Sequence, residues 1–305
     1  MSSIILSQVI IMVLLMFVGW VLSKSGKLPD EQTLVGLLMY ASLPAMILRS
    51  VQVPLTDELL TSLKVIIPGF AVVLACGMGM GFIVGRLARQ PVAVSATWAA
   101  AAGFPNVIFM GWPFKYAVFG DAARPFVPIV SLMFNVFCFT AAVWLLSMEG
   151  TSSNRPDPKK LLYHPVTISC VIGAILLFTP ARLPGPILGV IDMIAMTTTP
   201  VAMVLIGSQL SKCSLRDTLL DGRVYLASFA RLVPGGLAAY FLLNLFIQDQ
   251  VIVGFLTIGA LMPTATFVPV IAAQQGGDVQ FCSKVAFLTT ILSLVTLPLL
   301  LPLLL

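Results

Sequence analysis

The chain has 305 residues, 59% of them apolar and 10% charged, against roughly 45–50% apolar and about 25% charged for a soluble domain. A globular fold of this length needs a charged, solvated shell, so the composition excludes an ordinary cytosolic enzyme, a disordered chain and a nucleic-acid binder, and makes lipid the solvent. The net charge of +5 then serves orientation in a bilayer rather than attraction of a polyanion.

An α-helix needs near 20 residues to cross about 30 Å of hydrocarbon, and apolar stretches of about that length predict ten spans: 4–22, 33–53, 62–86, 93–118, 124–148, 165–180, 185–210, 224–247, 250–274 and 280–304. The first is expected to stay as a helix, because no basic segment precedes it, no small-residue cleavage site ends it, and Lys24 and Lys27 follow it. In the third, Gly77, Gly79, Gly81 and Gly85 resemble a nucleotide loop only out of context; inside an apolar helix they mark close helix packing. The fourth contains AAAAGFPNVIFMGWP, which sets Gly103, Pro105 and Asn106 at mid-membrane. Proline lacks an N–H and clashes with the preceding turn, so two half-helices around an unwound joint are expected there. The plainer alternative is a packing kink healed by neighbouring side chains.

The segment 149–164, EGTSSNRPDPKKLLYH, is polar and rich in proline, and reads as a cytoplasmic linker between a first five-helix unit, 1–148, and a second, 165–305. Of the acids, only Asp192 stands well inside a span, ahead of Pro200 in the seventh. Arg231 lies seven residues into the eighth, roughly 10 Å of rise from its end. It either draws in an anion or snorkels to the headgroups. The ninth span repeats the broken pattern with ALMPTATFVP, in which Pro263 interrupts the helix and Thr264 and Thr266 add hydroxyls. With both prolines opening second half-helices, the N–H groups of Asn106, Val107, Thr264 and Ala265 are expected to face the crossing, each at a positive helix end that favours an anion.

Positive residues fall unevenly on the two sides. Eleven follow odd-numbered spans (Lys24, Lys27, Arg86, Arg89, Arg155, Lys159, Lys160, Lys212, Arg216, Arg223 and Lys284), against five on the opposite side (Arg49, Lys64, Lys115, Arg124 and Arg182). The positive-inside rule therefore predicts a multi-pass protein with both termini on the outer face. Sliding one half by about 157 positions, the separation of Asp121 from Asp278, also brings Pro44 near Pro200, Lys64 and Pro68 towards Arg231 and Pro234, and Pro105 near Pro263. Five crossings per copy reverse the chain, so such a repeat is inverted, as in many secondary transporters.

Five scattered cysteines without C-x-x-C spacing read as packing residues. No H-E-x-x-H or G-x-S-x-G is present, and Gln275-Gly276-Gly277-Asp278 lacks the partner an intramembrane aspartyl protease would need, so the chain is not expected to be an enzyme. No cluster of carboxylates suits a sodium cage. Proton coupling through Asp192 or Asp121, or uniport, is expected instead, and neither metal nor cofactor is implied.

The strings GFPNVIFMGWP followed by FGDAA, then TTTPVAMVLIGSQL, then MPTATFVPVIAAQQGGD, resemble the auxin efflux carrier family over essentially the whole chain. The resemblance implies an all-α polytopic membrane protein with ten transmembrane helices as two inverted five-helix repeats, a fold shared with the bile acid:sodium symporters. Helices one, two, six and seven would form a scaffold beside a mobile transport unit of helices three to five and eight to ten. It implies a carrier of small organic anions in the inner (plasma) membrane, embedded in lipid and paired as a homodimer, with no nucleic-acid partner. Asn106 matches the family's crossover asparagine, while Thr264 stands where the plant members have a second amide. The expected site thus comprises Gly103, Pro105, Asn106, Val107, Pro263, Thr264, Ala265, Thr266 and Arg231. A sodium-coupled symporter, or an anion channel or sensor on the same fold, is the competing expectation.

Overall fold

The computed structural model describes residues 2–28, 30–52, 56–107, 110–120, 126–149, 163, 165–179, 182–211 and 220–304. Asp121 and nearly all of the linker lie outside them. Among the described residues the chain is helical, with one isolated antiparallel bridge. The first half comprises α1 (Ser2–Lys24), α2 (Glu31–Leu37), α3 (Leu43–Ser50), α4 (Asp57–Leu87), α5 (Val92–Gly103), α6 (Gly111–Phe119), α7 (Phe126–Phe137) and α8 (Val143–Ser147). The second comprises α9 (Pro165–Phe178), α10 (Gly185–Met196), α11 (Thr198–Ser211), α12 (Gly222–Leu232), α13 (Pro234–Phe246), α14 (Gln250–Leu261), α15 (Phe267–Gln275) and α16 (Val279–Leu304).

Prolines set most of the interruptions. A proline ring crowds the carbonyl four residues back and offers no N–H to it, so the helix ladder opens one turn upstream. A π turn, Leu38–Ser42, therefore joins α2 to α3 just before Pro44. Pro200 follows the break at Thr197, and Pro234 opens α13 directly after α12. Pro298 lies four residues beyond a 60° bend between Val279–Ser293 and Val295–Leu304. The π turn Cys138–Ala142 between α7 and α8 has a different cause: the Thr140 hydroxyl donates to the Val136 carbonyl at 2.7 Å, competing with the backbone for that acceptor.

Among the described residues, five helical runs are long and apolar enough to cross a bilayer, Glu31–Ser50, Leu60–Leu87, Ile129–Ser147, Gly185–Ser208 and Gly222–Phe246, and the bent pair Val279–Ser293 and Val295–Leu304 adds one more if it is one span. The fourth and ninth predicted spans are divided into shorter pieces, and the sixth is a helix of 14 residues. Leu14, Phe17, Val171, Ile175, Phe241 and Leu245 all stand exposed on the outside, an apolar surface that only lipid or another membrane protein covers at low cost. The chain is a polytopic membrane protein.

Glycines let helices approach backbone to backbone. A Cβ on Gly77 would lie 2.7 Å from the Ala102 carbonyl oxygen, one on Gly81 2.5 Å from that of Trp98, and one on Gly85 3.1 Å from the Ser95 hydroxyl. Gly79 points away, with nothing within 4 Å. Three of the four glycines singled out by spacing thus form the α4–α5 contact. A second such contact joins α1 to α11, where Gly19 abuts the Val204 carbonyl and Gly207 the Met16 carbonyl. Further, α3 touches α9 and α10, while α4 touches α5, α7, α12, α13 and α14.

The Gln275-Gly276-Gly277-Asp278 run is a structural turn. Gly276 closes α15 in the left-handed conformation (φ 74°), and the Asp278 carboxylate accepts from the Phe281 N–H at 2.8 Å to cap α16. Asp221 likewise caps α12, accepting from the Arg223 N–H at 3.1 Å with Lys284 3.9 Å away. Burial pushes its carboxyl up, but the bonds from Arg223 and the charge of Lys284 outweigh this and hold it below the ordinary value.

Candidate functional site at the crossing of two broken helices

The runs around Pro105 and Pro263 break the helix as their sequences predict, leaving 104–107 and 262–266 outside the half-helices. The two joints meet. Pro105 and Thr264 form the antiparallel bridge, the Asn106 N–H donates to the Pro263 carbonyl at 2.7 Å, and the Ala265 N–H donates to the Phe104 carbonyl at 2.7 Å. Phe104 of the first joint and Phe267, the first residue of α15 after the second joint, both lie against Phe134 of α7 at ring separations of 6.2 Å. Gly103 presses on Met78 of α4, where a side chain would collide.

This pairing corrects the expectation that four N–H groups face a ligand. Those of Asn106 and Ala265 are spent across the bridge, that of Val107 donates to the Pro105 carbonyl at 2.8 Å, and that of Thr264 donates to the Thr289 hydroxyl at 3.1 Å. Each joint, considered alone, leaves its amides free; brought together antiparallel, each supplies the acceptors that the other needs. The polar side chains remain. Asn106, Thr264 and Thr266 are all buried, the Thr264 hydroxyl donates to the Ala101 carbonyl at 2.8 Å, and among the described residues the Thr266 hydroxyl has no partner.

Arg231 does not snorkel to the headgroups. Its side chain is fully buried and donates to the carbonyls of Met262 (2.9 Å), Ala102 (3.0 Å), Ala260 (2.7 Å) and Gly259 (3.4 Å). These oxygens are the C-terminal ends of α5 and α14, whose last turns lack helical partners and carry partial negative charge. The guanidinium is thus the shared cap of both first half-helices.

Lys115 is the residue that charge counting misplaced. Assigned by sequence to an outer loop, it sits on the second turn of α6 with only 2% of its surface exposed, its Nζ 3.9 Å from the centre of the Phe255 ring. The available signal was its position inside the apolar run 93–118. Asp192 is not part of the cluster; it pairs with Arg49 at 2.9 Å, both side chains being about two-fifths exposed. Asp121 lies outside the described residues. A groove lined by Met78, Phe82, Ala99, Trp144 and Leu145 is apolar and includes no residue of the crossing.

An all-helical, lipid-exposed fold that buries two crossed helix breaks and two cations defines a membrane transport protein. The chain belongs to the Membrane transport protein family, that of the auxin efflux carriers, whose model matches residues 4–158 and 151–301. It is 26% identical over 297 residues to the "Putative malonate transporter" of Rhizobium meliloti (strain 1021), covering 92% of this chain and 90% of that protein. It is 28% identical over 302 residues to an "Uncharacterized transporter" of Methanothermobacter thermautotrophicus (strain Delta H), covering 95% of each.

Proposed function

We propose that the protein is a secondary transporter of a small organic anion, a carboxylate, which works by alternating access with its site at the crossing of the two broken helices. The reciprocal pairing of the Pro105 and Pro263 joints carries the reading. Irregular backbone at membrane depth is tolerated only where protein buries it or where it lines a water path, and midplane joints of this kind mark transporter binding sites. Asn106, Thr264 and Thr266 supply the hydrogen-bonding groups, with buried positive charge beside them. The name of the Rhizobium relative supports a carboxylate.

Ten spans in two inverted repeats fit a second observation. Ser42 and Thr198 stand two residues before Pro44 and Pro200, and the Thr198 hydroxyl donates to the Ser42 carbonyl at 3.1 Å, while Pro105 meets Thr264, the residue after Pro263. Contacts between repeat-related positions are what a two-fold axis in the membrane plane requires. Helix packing also favours a scaffold of α1–α3 and α9–α11 beside a transport unit of α4–α8 and α12–α16. The proposal keeps both termini on the outer face of the inner membrane and pairs two scaffolds in a homodimer.

The test is uptake of labelled malonate by proteoliposomes, together with thermal stability of the purified protein. Malonate at 100-fold its Kd adds about 2.7 kcal/mol to stability. Asn106→Ala is expected to abolish uptake while leaving the ligand-free melting curve in place. Uptake at the wild-type rate in this variant would remove Asn106 from the site.

A further inference from the structure

Two cations lie buried beside Gly259, and of the two it is the Arg231 guanidinium that has oxygen acceptors. The Arg231 guanidinium shares the carbonyls at the ends of α5 and α14. The Lys115 ammonium has no such set: among the described residues no carboxylate pairs with it and no oxygen accepts from it, and its nearest favourable neighbour is the face of Phe255. Gly259 makes the room, since a Cβ there would lie 3.2 Å from Nζ and 3.3 Å from Val107, the residue after Asn106. A buried ammonium without a counter-charge is costly in a membrane protein, and an aromatic face offsets only a part of that cost.

Building on the reading of the crossing as a carboxylate site, we propose that Lys115 is the counter-charge of the transported anion and thereby the residue that selects anions over neutral and cationic solutes. The ammonium approaches the crossing from the α6 arm, next to Val107, and a bound carboxylate supplies the charge that this site lacks when empty. Met110 and Phe114, both shortly before Lys115 in sequence, belong to an apolar cluster with Met16 of α1 and Met203 of α11.

The experiment compares wild type, Lys115→Met and Lys115→Arg in proteoliposomes and in thermal shift, with malonate as the probe. Lys115→Met is expected to melt at or above the wild-type temperature without ligand, because the uncompensated charge is gone. It should also lose the malonate-induced shift and raise KM for malonate at least tenfold. Lys115→Arg should restore part of the shift. Should Lys115→Met fail to fold, Lys115→Gln carries the same comparison. An intact malonate shift and KM in the neutral variant overturn the proposal. So does a lower melting temperature with the shift retained, which marks a purely structural lysine. Failure of the wild-type protein to respond to malonate, succinate, lactate or acetate overturns the carboxylate reading itself, a result distinguishable from a malonate response that survives the loss of Lys115.

Discussion

Arg231 ties together the ends of α5 and α14, two helices that also meet at the crossing and pack on α4. Three of its four hydrogen bonds are 3.0 Å or shorter, and bonds from a charged donor are worth about 1.5–3 kcal/mol each. Arg231→Met leaves the carbonyls of Ala102, Ala260 and Met262 without these donors, and is expected to cost about 3–5 kcal/mol, read as a lower melting temperature and a poor yield of folded protein. Arg231→Lys restores the charge but not the planar fork that spans both helix ends, so it should recover only part of the loss. A wild-type melting curve combined with a raised KM for malonate would return Arg231 to the role of substrate ligand. The sequence already showed that an arginine so deep in a span needs a purpose. It did not show its partners, because they are backbone oxygens freed only when two distant helices break and then meet. Lys115 escaped notice for a related reason: a lysine near a span's end reads as a loop charge until α6 is seen to turn it towards Phe255.

The elements were legible wherever local chemistry decides them. Prolines and glycines located the joints at 104–107 and 262–266 within a few residues, and the glycine spacing of α4 announced a close neighbour. Which glycines face that neighbour follows from the helix's rotation, a tertiary property. Gly81→Ala places a methyl group 2.5 Å from the Trp98 carbonyl oxygen, so α4 and α5 must part, at an expected cost of about 1–3 kcal/mol. Gly79→Ala meets no atom within 4 Å and removes a flexible residue from a helix, so it should be neutral or stabilising by up to about 1 kcal/mol. Thermal melts of the two variants in one detergent check the contrast, and equal effects would contradict the assigned face. The free amides expected at the crossing were the main error at this scale. A break in one element says nothing about whether another break lies opposite to satisfy it.

At the scale of the molecule, the matching prolines of the two halves were visible in the sequence, whereas the division into scaffold and transport unit came from family resemblance. The structure adds a physical contrast between two contacts. Where α1 meets α11, Gly19 and Gly207 bring backbone against backbone, and the Ser211 hydroxyl donates to that of Ser23 at 2.6 Å. Such a contact is specific and cannot slide without collision. Across from it, Met16, Met110, Met203 and Met262 make up much of the cluster in which α1 and α11 face α14 and the start of α6. Unbranched, adaptable methionines can repack against new neighbours at small cost, as a moving seam requires. Cysteine pairs separate the two contacts in a background lacking the five native cysteines. Oxidised Ser23→Cys with Ser211→Cys ties α1 to α11 within the proposed scaffold and is expected to leave malonate uptake intact. Oxidised Met203→Cys with Met262→Cys ties the proposed scaffold to the proposed transport unit and should stop uptake, with recovery on reduction. Continued uptake after complete seam cross-linking, verified by mass, would show that the substrate crosses without relative movement of the two bodies. That outcome would favour a channel over a carrier.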